Sequence, residues 1–283
     1  MRRSTIGLLT LALLLSACLG DDAGANDPDG GDSCAIEDLT LVNEGVLTVA
    51  TGEPAYPPYV LDDNPESKQG FEAAVAYAVA NEMGFTDDQV DWVRAGFNES
   101  IAVGPKTFDF NIQQYSITEE REQVVDFSDP YYETNQALVG YADSAIVGVT
   151  TLDELKGFRL GAQIGTTSLA YIENVIQPDD PAAVFDDNVA AKVALDAGQI
   201  DAVVFDLPTA YYITAVEIEG SEIIGVLEAD DESADYFGLL MQNDSPLRNC
   251  VNAAIGRLRE AGTLDALAEE WMQAGGDIPT IGS

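Results

Sequence analysis

From about residue 34 onward, short runs of β-branched and aromatic residues alternate with stretches whose apolar positions recur at helical spacing. GVLTVAT (45–51) is a β-type run. FEAAVAYAVANEM (71–83) follows as a helix with Phe71, Val75, Ala78 and Val79 on one face, stopped at Gly84. QVDWVRA (89–95) and TFDFNIQ (107–113) alternate as strands do. After LDELKG the alternation restarts in FRLGAQ, and TTSLAYIENVI (166–176) reads as a helix with threonine at its start. AAVFD is a strand, NVAAKVALDAG (188–198) a helix closed by Gly198, and DAVVFD (201–206) a strand. SEIIGVL and DYFGLLMQ follow as strands. Ser245-Pro246 predicts an N-cap with proline at the first helical position. The helix over NCVNAAIGRLREAG ends at Gly262, and TLDALAEEWMQ makes a last short one.

Repeated β-α-β units imply an α/β fold whose sheets are mostly parallel and covered by helices on both faces. The pattern occurs twice, before and after about residue 140, which predicts two lobes. NQALVGYA (135–142) and DYFGLLM (235–241) flank the second block. As two crossing hinge strands they would carry the chain from lobe one (36–138 plus 242–283) into lobe two (139–241) and back, with the C-terminal helices rejoining lobe one.

Composition narrows the function classes. The 283 residues carry 50 acidic and 12 basic side chains, a net charge of −38, which excludes broad contact with a phosphate backbone and so nucleic acid as a partner. Solubility is the plain meaning of that charge; a high-salt setting also fits the four lysines. There is no histidine, which removes Ser-His-Asp and Cys-His catalysis and every His-containing zinc site. Cys18, Cys34 and Cys250 are not spaced as a metal clip, and no cofactor is implied.

MRRSTIGLLTLALLLSAC has the layout of a signal peptide, residues 1–17, with an apolar run too short to span a membrane as a stable helix. LSAC (15–18) resembles the lipobox of bacterial lipoproteins, which implies cleavage before Cys18 and its lipidation; ordinary secretion with a free cysteine is the alternative. LGDDAGANDPDGGDS (19–33) lacks core-forming residues and reads, within 18–35, as a flexible tether rather than a calcium loop. With Cys18 lipidated, Cys34 and Cys250 remain as an even pair in an oxidising compartment, and a disulfide between them is expected; two free thiols are the alternative.

Seven motifs occur in order: LTVAT with AYPPY (55–59), GFE (70–72), SITEER (116–121), VDFSDPYYETNQALV (125–139), LKGFRLGAQIGTTS (155–168), DAVVFDLPTA (201–210) and AGTLDALAEEW (261–271). Together they resemble the amino-acid family of bacterial extracellular solute-binding proteins, the receptors of ABC importers with the type II periplasmic-binding-protein fold. The resemblance covers roughly residues 40 to 275. It implies a free amino acid held between two closing lobes, delivery to permease subunits, a monomer, and an extracytoplasmic place at the cell membrane through the lipid anchor.

The resemblance also implies roles. Arg121 would take the α-carboxylate, for which a planar, permanently charged fork of donors is suited; a surface ion network is the alternative for that arginine. Ser116 would assist it, or cap the short helix, for which Thr118 is the better candidate. In GTTS (165–168), Thr167 matches a second carboxylate contact at the opening of a helix, where free N–H groups favour an anion; a bare capping turn is the alternative. Asp206, at the carboxyl end of a strand where ligands of α/β sheets bind, would accept from the α-ammonium. Tyr56 and Phe97 would sandwich the side chain, with core packing an equal reading of Phe97.

Two departures bear on the ligand. Gln113-Gln114 stands where small residues are frequent, adding donors and acceptors. TGEPAY is one residue longer than the frequent form, so Glu53 aligns loosely with the acid that reads the ligand side chain. Both favour a polar amino acid. A dehydratase-like enzyme using a carboxylate such as Glu53, and a ligand-sensing receptor subunit, are the competing functions.

Overall fold

In a computed structural model, residues 34–228, 235–272 and 277–282 are described. The signal peptide, Cys18 and the tether through residue 33 lie outside them.

The first half runs β1 (Leu47–Thr51), α1 (Phe71–Glu82), β2 (Val90–Arg94), α2 (Phe97–Ile101), β3 (Phe110–Asn111), α3 (Glu119–Glu122) and β4 (Val125–Phe127). Then come β5 (Tyr132–Thr134), β6 (Gln136–Tyr141), α4 (Leu152–Leu155), β7 (Leu160–Gln163), α5 (Thr167–Tyr171), β8 (Ala183–Phe185) and α6 (Asn188–Asp196). The rest is β9 (Ala202–Asp206), α7 (Leu207–Tyr212), β10 (Ser221–Leu227), β11 (Asp235–Phe237), β12 (Leu240–Gln242), α8 (Arg248–Glu260), α9 (Thr263–Trp271) and β13 (Thr280–Ile281).

Two sheets form the two lobes. The first is ordered β2-β1-β3-β12-β4 and the second β13-β10-β6-β9-β7-β8. The β-α-β units give parallel pairs, β1 with β2 and β3, and β7 with β8 and β9. The antiparallel pairs come from chain that has just left the other lobe, β12 in the first sheet and β6 in the second, so both sheets are mixed. All five residues of β1 are buried, as a central strand covered on both faces requires. Its neighbours Val49 and Ala50 enter different apolar clusters, Val49 with Phe110 and Ile255, Ala50 with Phe127 and Leu240, following the two-residue period of a strand. In the second sheet Leu138 and Val204 pack on one face, Val139 and Val203 on the other. The helix α1 buries more than the single stripe expected, because it packs on both α8 and α9.

Four features differ from the sequence reading. The crossing lies in the ribbon β5–β11, paired Asp235↔Thr134 to Phe237↔Tyr132, while 136–141 is already a strand of the second sheet. The run DYFGLLMQ is broken at Gly238-Leu239, where a Cβ on Gly238 would stand 2.9 Å from Ile117. The C-terminal β13, expected in lobe one, pairs in parallel with β10 of the second sheet through Thr280 and Ile281, and the Ile281 side chain is fully buried there. The final long helix also starts later than Ser245-Pro246 suggests, at Arg248, with Ser245 forming the preceding turn.

Cys34 and Cys250 are joined by a disulfide with Cα atoms 5.6 Å apart. The same N-terminal segment is held by Asp109, whose carboxylate accepts from Val42 N at 2.8 Å and Thr48 N at 2.7 Å.

Candidate ligand-binding site

A cleft of about 390 Å³ opens between the sheets at the carboxyl ends of β1, β7 and β9. Lobe one contributes the loop after β1, the start of α2, Gln113, Gln114, Ser116 and Arg121; lobe two contributes the β7–α5 turn, residues 186–188 and the end of β9. Glu53, Tyr56, Phe97, Gln114, Ser116, Arg121, Thr167 and Asp206 all line it.

Arg121 is placed by a one-turn helix that Thr118 caps, its Oγ1 accepting from Arg121 N at 3.2 Å. Arg121 is 7% exposed, and among the described residues its guanidinium forms no ion pair. It donates to the carbonyl of Ser116 at 2.5 Å and, across the cleft, to the carbonyl of Gly165 at 2.9 Å. Its Cζ lies 5.5 Å from the centre of the Phe97 ring, and that ring stacks on Tyr115 at 4.7 Å. Phe97 is thus both cleft wall and packing partner. Burial lowers the arginine's pKa from its ordinary value, and the charges of Asp235 and Asp206, with Tyr115 and Glu120, oppose that. A buried, planar cation with spare donors and no carboxylate of its own is equipped to receive one.

Two further hydrogen bonds join the lobes: Ser116 Oγ and Thr167 Oγ1 at 3.3 Å, and Tyr59 Oη and Thr209 Oγ1 at 3.2 Å. Thr166 caps the turn that presents Thr167, accepting from Leu169 N at 3.2 Å.

Gln114 takes a left-handed backbone, φ 49°, and its amide turns away from the cleft to Glu72. The Glu72 carboxylate accepts from Gln114 N at 2.7 Å, from Gln114 Nε2 and from the Tyr131 hydroxyl. Burial raises the Glu72 pKa to about 7, against those three hydrogen bonds.

Asp206 pairs in register with Gln136 at the start of β6 and accepts from its Nε2 at 2.7 Å. Burial, then the charge of Asp235, raise its pKa to about 8, while Gln136 and Arg121 pull the other way. The rim carries more acids: exposed Glu53, Glu99, Asp186 and Asp187. Asp187 also caps α6, accepting from Ala190 N at 2.7 Å. Arg121 is the one basic residue lining the cleft among the described residues.

The sequence reading did not assign roles to Glu72, Gln136, Gly165 or Asp235. Glu72 and Gln136 lie inside motifs it quoted; Asp235 carries no local signal, since only pairing with a strand a hundred residues earlier brings it to the site.

Residues 47–274 match the family model of the bacterial extracellular solute-binding proteins, family 3. The chain is similar to the L-cystine-binding protein of Escherichia coli, 29% identical over 238 residues that are 83% of this chain and 86% of the relative. It is similar to the L-arginine-binding protein of Pseudomonas aeruginosa, 30% identical over 77% of this chain and 85% of that one. Among solved structures, an ancestral arginine-binding protein bound to arginine superposes with a TM-score of 0.67 at 30% identity, covering 81% of this chain and 99% of that one.

Proposed function

The chain belongs to the bacterial extracellular solute-binding proteins of family 3, and from that premise we propose that it captures a free amino acid with a cationic side chain between its lobes and delivers it to the permease of an ABC importer. The observation that carries this is the charge layout of the cleft. One unpaired arginine, Arg121, stands opposite Asp206, and every other charged residue at the cleft is acidic: Glu53, Glu99, Asp186 and Asp187. Arg121, Ser116 and Thr167 take the α-carboxylate, and Asp206 takes the α-ammonium. Tyr56 and Phe97 flank the side chain, whose positive end meets the rim acids. Gln114 shapes the wall from its bond to Glu72. Because Arg121 and Asp206 sit on different lobes, a zwitterion bridging them favours the joined arrangement.

The relatives reported above are named as binding proteins, which supports a carrier role over a dehydratase. The LSAC sequence supports lipid attachment at Cys18, and the Cys34–Cys250 disulfide suits the same extracytoplasmic setting. In cells, Cys18→Ala should shift the protein from the membrane fraction to the medium or periplasm.

A thermal-shift screen of the twenty amino acids, with ornithine and cystine, tests the ligand class. L-Arginine, L-lysine or L-ornithine should raise the melting temperature, since a ligand at 100 times its Kd adds about 2.7 kcal/mol. A shift from cystine or neutral amino acids alone would leave the carrier reading and refute the cationic one. Arg121→Ala should abolish the shift yet melt cooperatively.

A further inference from the structure

The acceptor on lobe two is one of two carboxylates. Asp206, ending β9, and Asp235, opening β11, both accept from the same nitrogen, Nε2 of Gln136, at 2.7 and 2.5 Å. A primary amide nitrogen has two hydrogens, so each acid receives one and none is left over. The amide is held in this orientation because its Oε1 accepts from Ser168 Oγ at 2.6 Å. Asp235 is 5% exposed and does not border the cleft; Asp206 is half-buried and does. Among the described residues neither acid has a basic side chain within ion-pair distance. Two carboxylates sharing one amide without a paired cation do not ionise together readily.

We propose that Asp235, held beside Asp206 by the shared Gln136 amide, is a positioning residue whose charge keeps a proton on Asp206, so that the ligand's ammonium enters by displacing that proton to solvent. The inference rests on reading Asp206 as the ammonium acceptor. Only an O–H bond is broken, its proton leaving to solvent; the ammonium then faces the ionised Asp206. The other groups that act on Asp206 are Arg121 of α3, which favours its ionised form, and Glu72 of α1, which disfavours it. The hydroxyls of Tyr59 and Tyr131 lie close enough to feel its charge, and burial keeps both neutral. The position matters as much as the charge. Gln136 opens the first strand of lobe two, and Asp235 pairs with Thr134 in the crossing ribbon, so the proton sits where the lobes pivot.

The consequence is affinity that rises with pH through neutrality, by about tenfold per pH unit while one full proton is released. NMR titration of aspartate carboxyl carbons in the full chain tests the pair without a ligand. The Asp206 signal is the one missing from Asp206→Asn. In the wild type its midpoint should lie well above the ordinary carboxylate range, and Asp235→Asn should lower it by more than about one pH unit. An ordinary midpoint in the wild type, or one that Asp235→Asn does not move, overturns the proposal. The wild-type arm decides even if that variant fails to fold. Calorimetry with L-arginine in buffers of different ionisation heat then counts protons. About one should leave per ligand bound by the wild type below neutrality, and fewer from Asp235→Asn. Undiminished L-arginine binding by Asp206→Asn would overturn the acceptor reading and the proposal with it. Lost binding in Asp206→Asn with an unchanged proton count in Asp235→Asn would overturn the proposal alone.

Discussion

Glu72 is fully buried on α1, and its carboxyl is met by the backbone and side chain of Gln114 and by Tyr131. Its folded-state pKa of about 7 stands above the ordinary 4.5. The folded protein therefore holds this proton more tightly than the unfolded chain. The stability that Glu72 contributes is complete below about 4.5 and is lost as pH rises through about 7. The loss is on the order of 3 kcal/mol at most. Glu72→Gln keeps an acceptor for Gln114 N and cannot ionise, so its melting temperature should gain on the wild type between those pH values. A difference between the two proteins that does not vary with pH would remove this ionisation from the account. Glu72 also marks how far single residues were legible. Arg121 and Asp206, which line the cleft, were legible as candidates because a zwitterion demands their chemistry and their motifs are local. Glu72 bonds Gln114, and Asp235 shares the Gln136 amide with Asp206; the partners are 42 and 29 residues apart in sequence, and nothing in a local pattern records such a contact.

At the level of elements, the β7–α5 turn brings a lobe-two carbonyl to a lobe-one cation. Gly165 there has φ +76°, and an added Cβ would stand 2.3 Å from Oδ1 of Asn98. Gly165→Ala must bear a left-handed backbone cost of about 1–2 kcal/mol and also push Asn98 aside, both in the arrangement where Arg121 reaches Gly165 O. Ligand affinity should fall by roughly tenfold or more, as that cost implies, measured by calorimetry. Adding Asn98→Ala should restore part of the loss and not all of it. If the double variant binds no better than the single one, the crowding by Asn98 plays no part. Elements such as β1, α1, α6 and β9 were legible because their periodicity and stop signals are local: Gly84 after α1, Gly198 after α6. The run 107–113 was legible as a strand, although only Phe110–Asn111 pair as β3; the split between β11 and β12, and β13, were not. Each exists only through pairing with distant chain, as Ile281 does with β10, and no propensity within the segment distinguishes it from a loop.

At the scale of the whole molecule, a net charge of −38 surrounds a cleft whose rim is acidic. Such a field draws cations and repels anions, and salt screens it over about 8–10 Å. Stopped-flow association of L-arginine should slow by roughly tenfold from low to high salt, while a neutral amino acid that binds should change little. Equal salt dependence for both would show that the field does not steer the ligand. Two lobes and their helix-covered sheets were legible at this scale from the repeated β-α-β pattern; the third passage of chain, to β13, was not. The disulfide has a mechanical consequence. Cys250 lies within α8, buried in the lobe-one core, and Asp109 grips Val42 and Thr48 just downstream of Cys34. A pull applied upstream of Cys34 therefore enters the molecule through a covalent bond into the first turn of a packed helix. The load bypasses residues 35–46. Lobe one is therefore the lobe that takes the load.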